Sequence, residues 1–121
     1  MRILVVDDHR DAADTMADIL ELMGHEVKAS YDGARAVEVA AGFRPHVVLL
    51  DIGMPRLDGY AVAARLRDQP ETRSTVLVAL TGWGRGGDKR RAREAGFDHH
   101  LTKPVDPADL QKLLAGIETS Q

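Results

Sequence analysis

Apolar residues fall along this chain in short runs that alternate with longer amphipathic stretches. Val47-Val48-Leu49-Leu50 is unbroken, the pattern of a strand covered on both faces, as in a parallel sheet with helices on either side. Ile3–Val6, Thr75–Leu80 and Phe97–Leu101 read as further strands, and the more polar, alternating His25–Ser30 as an edge strand. Between them, Ala13, Met16, Ala17, Leu20 and Met23 share one helical face that stops at Gly24. A shorter helix over Ala34–Ala41 is expected to bury Ala34, Val37 and Ala41 and to be broken by Gly42 and Pro45. Tyr60–Asp68 forms a third helix, ending before Gln69 and Pro70 because a residue preceding proline disfavours the helical region. Asp88–Ala95 offers only Ala92 and Ala95 for burial beneath Lys89, Arg90, Arg91, Arg93 and Glu94, which predicts a weakly docked helix with a solvated basic face. The last helix has Asp106 as N-cap, Pro107 at its first position, Asp109 in its first turn, and Leu110, Leu113, Leu114 and Ile117 to bury. Five strand–helix pairs of this length imply right-handed crossovers and one parallel α/β sheet over residues 1–121.

The strands end in polar residues. Asp7 and Asp8 follow the first, Asp51 the third, Thr81 the fourth, and Lys103 lies just past the fifth. In open α/β sheets the carboxyl edge is where ligands bind, because the scaffold holds its loops rigidly. Gly53, Pro55 and Gly59 turn the chain away after Asp51. Three crowded carboxylates repel one another unless a cation relieves them, and an all-oxygen site with few protein ligands suits Mg²⁺. Lys103 supplies a point charge for a phosphoryl oxygen and Thr81 a hydroxyl donor. The set describes phosphoryl transfer to a carboxylate, with Asp51 as nucleophile.

Composition narrows the field. A chain of 121 residues with 44% hydrophobic content suits one domain with one core. No cysteine is present, which excludes disulfides and thiolate metal sites. No apolar run approaches the ~18 residues of a membrane span, and no signal peptide is evident, so the cytoplasm is the expected compartment. A net charge of −3 gives no broad basic face for nucleic acid.

Plainer readings stand beside these. A lone Asp after a strand is usually a turn or cap residue, and Asp7 could cap the first helix. His99 and His100 are neighbours on a strand and point to opposite faces, so they are expected to be structural and not to share an ion. Gly82-Trp83-Gly84-Arg85-Gly86-Gly87 fits G-x-G-x-x-G and could cradle a dinucleotide pyrophosphate. That fingerprint belongs in the first strand–helix turn, which here holds Asp7 and Asp8, and Trp83 would crowd the approach.

The motifs Val5–Asp8 (VVDD), Val47–Gly59 (VVLLDIGMPRLDG), Ala79–Gly82 (ALTG) and Lys103-Pro104, in this order and spacing, resemble the receiver domains of two-component response regulators over nearly the whole chain. GYAVAARLR, AREAGFDHHLTKPVDP and the GWG turn look most like receivers attached to hybrid histidine kinases. The resemblance implies a flavodoxin-like three-layer fold with strand order 2-1-3-4-5. It implies that Asp51 accepts the phosphoryl group from a phosphohistidine of a histidine kinase or phosphotransfer protein. Asp8 and Asp51 would ligate Mg²⁺ directly, with Mn²⁺ as a possible substitute, Asp7 through water and the Gly53 carbonyl as a further ligand. Thr81 would reorient on phosphorylation, switching the face formed by strand 4, helix 4 and strand 5, while Lys103 would contact the phosphoryl group through a loop with a cis bond into Pro104. Such a domain promotes its own phosphorylation and dephosphorylation without being a kinase, although a parent hybrid protein could be one. An inert, receiver-like interaction module is the alternative. The chain departs from the family at His100, where Phe or Tyr is usual, and carries Trp83 at a position that, with Gly53, tunes access of water to the phosphoryl group. An imidazole fills the space vacated by Thr81 only when neutral, so the switch is expected to be pH-sensitive.

Overall fold

The computed structural model describes residues 1–54, 58–82 and 89–120. Five strands, β1 (Arg2–Val6), β2 (Glu26–Ser30), β3 (Val47–Asp51), β4 (Val76–Thr81) and β5 (His99–Thr102), form one parallel sheet in the order β2-β1-β3-β4-β5. Helices α1 (Arg10–Leu22), α2 (Gly33–Phe43), α3 (Gly59–Asp68), α4 (Lys89–Ala95) and α5 (Pro107–Ser120) connect them, with a 3-10 turn at Pro70–Thr72. This is the flavodoxin-like arrangement.

The unbroken apolar runs are explained by a sheet covered on both sides. Leu4, Val6, Val48, Leu50, Leu77 and Ala79 point to a layer that holds Ala36, Ala40, Val62, Leu66 and Ala92 of α2, α3 and α4. The alternate residues Ile3, Val5, Val47, Leu49, Val78 and Leu80 meet Ala13 and Leu20 of α1 and Leu110, Leu114 and Ile117 of α5. Side chains alternate across a strand, so a strand buried on both faces must be apolar at every position. β2 lies at an edge, and its outward residues Glu26 and Lys28 are exposed. Gly24 follows α1 with φ of 95°, a left-handed conformation that costs glycine little. At α5, Asp106 Oδ1 accepts from Ala108 N at 2.8 Å.

Helix α2 departs from expectation. Ala34 is exposed and Val37 and Ala41 only half-buried, whereas Ala36, Ala40 and Phe43 face the core. A helix rich in alanine and valine on several sides has no sharp apolar stripe, and the ring of Phe43 sets its rotation. Gly42 does not stop it. The helix runs through to Phe43 and ends at Arg44, whose backbone is left-handed at φ 50°. Arg2 secures that turn, its Nη2 donating to Arg44 O at 2.8 Å and its Nε to Phe43 O at 3.1 Å. β5 begins at His99, two residues later than expected, because Phe97 packs into the core before pairing starts.

Candidate functional site

Parallel pairing places the ends of β1, β3 and β4 side by side, with Val6 opposite Leu50 and Asp51 opposite Leu80. Asp7, Asp8 and Asp51 thereby meet: one carboxylate oxygen from each lies within 4.8 Å of the other two. Among the described residues this is the one such group of potential metal ligands. All the donors are hard oxygens, and the sum of three negative charges fits a divalent cation that keeps part of its water shell.

The three acids sit in different environments. Asp7 is buried, its Oδ1 accepting from His9 N at 3.0 Å and its Oδ2 from Lys103 Nζ at 3.0 Å. It does not cap α1, whose N-cap residue is His9. Asp8 is exposed. Asp51 lies between them, its side chain 14% exposed, with Oδ1 accepting from Gly53 N at 2.9 Å and Oδ2 3.2 Å from Lys103 Nζ. The carboxylate is thus fixed in direction yet reachable from solvent.

Lys103 bridges Asp7 and Asp51 at the head of the Lys103–Pro104 peptide, which is cis. Burial of the ammonium works to lower its pKa, but the hydrogen bond to Asp7 and the charges of Asp51 and Asp7 outweigh it. Lys103 therefore titrates above its ordinary value and stays charged. Thr81 ends β4, half-buried, with Oγ1 turned towards β5 at 3.5 Å from Leu101 O. His100 is exposed on β5 opposite Ala79, and His99 is exposed beside it. Trp83 and the rest of the Gly82–Gly87 run beyond Gly82 lie outside the described residues, as do Pro55 and the expected start of the fourth helix at Asp88. A cleft of about 640 Å³ opens beside Asp7 and Lys103, walled by Met16 and Ile19 of α1 and by Val105.

One neighbour of the site was not legible as such. Gly59 reads in sequence as a turn former, but it is the first residue of α3, packed against the backbone of Asp51 and Ile52. The Asp-Gly pair opening a helix was the only hint. Asp58 is the N-cap, its Oδ1 accepting from Ala61 N at 2.9 Å.

A carboxylate held open between a cation pocket and a lysine, at the carboxyl edge of a 2-1-3-4-5 sheet, is the layout of a phosphoacceptor signalling domain. The comparisons agree. The chain belongs to the response regulator receiver domain family, whose model matches residues 3–115. It is 35% identical over 114 residues to an uncharacterised 14.6 kDa protein of Leptolyngbya boryana, covering 94% of this chain and 87% of that protein. It is 38% identical over 105 residues to the response regulator PleD of Caulobacter vibrioides, covering 87% of this chain but 23% of that protein. The receiver domain of the sensor histidine kinase PA1611 of Pseudomonas aeruginosa, solved with a magnesium ion coordinated in its active-site cleft, superposes with a TM-score of 0.84. That match has 33% identity and covers 93% of each chain. The protein is a receiver domain of two-component signalling, a class that accepts phosphoryl groups and works with a histidine kinase or phosphotransfer partner. Among the described residues, no helix is long and apolar enough to cross a membrane.

Proposed function

We propose that the chain is a single receiver domain, residues 1–121, that takes a phosphoryl group from a phosphohistidine onto Asp51. The observation that carries this is the Asp51 carboxylate itself, aimed by Gly53 N and Lys103 and still open to solvent. In the transfer a bond forms between an Asp51 oxygen and phosphorus while the bond from phosphorus to the donor's imidazole nitrogen breaks, and the imidazole leaves with its electron pair. Lys103 neutralises charge on the phosphoryl oxygens, and the Thr81 hydroxyl binds one of them. Asp8 and Asp51 would hold Mg²⁺ directly, Asp7 through water, with the Gly53 carbonyl as a further ligand and Mn²⁺ able to substitute. The ion, when bound, offsets the charge gathered on the acids and the phosphoryl group.

As Thr81 turns from Leu101 towards the phosphoryl group, the face of β4, α4 and β5 changes, with His100 as the second switch residue. Gly53 and Trp83 govern water's access to the acyl phosphate. The domain promotes its own phosphorylation and dephosphorylation and is not itself a kinase; it serves a cytoplasmic kinase or phosphotransfer protein, and a hybrid kinase is a fitting parent. Acetyl phosphate with Mg²⁺ is the test. Mass spectrometry should show one added phosphoryl group on the native chain and none on Asp51→Asn. An unmodified native chain would leave only the inert interaction module, and a modified Asp51→Asn would move the acceptor elsewhere.

A further inference from the structure

We propose that Gly59 is a positioning residue for Asp51: its bare α-carbon lets the first turn of α3 close onto the Asp51–Ile52 peptide and so fixes the acceptor carboxylate relative to Asp7 and Asp8. The inference rests on reading Asp51 as the acceptor.

A Cβ at Gly59 would lie 2.5 Å from Ile52 Cα, 2.8 Å from Asp51 O and 3.0 Å from Ile52 Cγ2, where ordinary contacts begin near 3.4 Å. Two of these three atoms are backbone, so no rotamer change relieves the overlap. The other glycines at this edge differ. A Cβ at Gly53 would meet Asp51 Oδ1 at an ordinary 3.5 Å, and one at Gly82 would meet nothing within 4 Å.

Both sides of the contact are anchored. On the helix side, Val62, Ala63 and Leu66 are fully buried, and Asp58 caps the first turn. On the strand side, Asp51 pairs with Leu80 of β4, and Ile52 N donates to Leu80 O at 3.2 Å. A methyl group at residue 59 must therefore displace one of them. The carbonyl it meets belongs to Asp51 itself. Shifting that peptide tilts the Cα–Cβ bond of Asp51, which changes the distances of its carboxylate from Gly53 N, from Lys103 and from the other two acids.

Three proteins decide the matter: the native chain, Gly59→Ala, and Leu66→Ala, which loosens the same helix two turns away without adding an atom near the strand. Folded fraction is read by circular dichroism, Mg²⁺ affinity by calorimetric titration, and phosphorylation by mass spectrometry after acetyl phosphate, each per folded molecule. Gly59→Ala should weaken Mg²⁺ binding and slow phosphorylation by about tenfold or more, since a misplacement of about 1 Å can cost about 10²-fold and the helix absorbs part of the shift. Leu66→Ala should lower the thermal midpoint yet stay within about twofold of native in both. If Gly59→Ala is mostly unfolded, the measurements are made in trimethylamine N-oxide, which favours the compact state. Native Mg²⁺ affinity and rate in Gly59→Ala, or equal losses in Leu66→Ala, would overturn the positioning role. A native chain that takes no phosphoryl group would instead sink the acceptor reading, and the Mg²⁺ affinities would still decide whether Gly59 positions the carboxylate.

Discussion

Replacing Arg67 with Gln should destabilise the protein strongly while leaving the acceptor site intact. Arg67 lies in the last turn of α3, and its guanidinium holds four segments together at the opposite edge of the sheet. Nε and Nη2 donate to Gly96 O at 3.1 and 2.7 Å, and Nη1 donates to Arg73 O at 2.8 Å and Thr75 O at 2.6 Å. Nη2 also meets Asp98 Oδ2 at 2.8 Å, and that same oxygen accepts from Leu77 N at 2.9 Å. The fork thus ties the end of α3 to the end of α4 and to the entries of β4 and β5. Hydrogen bonds from a charged donor are worth about 1.5–3 kcal/mol each in net terms, but they are not additive. The Arg73 carbonyl is exposed and would rehydrate, and the ion pair is discounted because Asp98 is 46% exposed. The part-buried Gly96 and Thr75 carbonyls carry most of the loss, which comes to about 2–4 kcal/mol. For a chain of this size the thermal midpoint should fall by about 10 °C. Urea unfolding of the native chain, Arg67→Gln and Arg67→Lys is the assay. Lysine restores the charge but not the planar fork, so it should recover less than half the loss. A loss below about 1 kcal/mol, or full rescue by lysine, would refute the reasoning. Mg²⁺ affinity should not change, because the fork lies at the far edge.

Asp51→Asn should leave the metal-free protein within a few degrees of the native midpoint, because one acid of a repelling group is neutralised while Lys103 keeps Asp7 at 3.0 Å; a large fall on thermal unfolding would show that the Lys103–Asp51 pair dominates. Stability should also fall in mild acid through His46, whose Nδ1 accepts from Arg2 N at 2.9 Å, and whose pKa is lowered by burial and then by the Arg2 charge. The folded state resists the proton that the unfolded chain takes up near pH ~6.5, so this contribution is complete above that pH and lost as pH falls below it; urea midpoints at pH 5.5 and 7.5 should show a smaller acid loss in His46→Gln, and an unchanged loss counts against it.

The sequence alone determined the layers and which polar residues meet at their edge. β1 and β3 are legible because a strand buried on both faces stays apolar until it reaches the edge of the sheet, so the position where Asp7 and Asp51 appear is itself the boundary signal. The caps of α5 are legible because they satisfy backbone groups locally. Only the tertiary structure decided the rotation of α2, since alanines on several sides leave the choice to whatever Phe43 can fill. It decided the Arg67 fork as well, whose partners lie up to 31 residues away and accept mostly through backbone carbonyls that any residue type carries. The role of Gly59 came from the same source. A missing side chain leaves no mark in a hydrophobic pattern, and the 2.5 Å that makes it matter exists only once α3 has docked against β3.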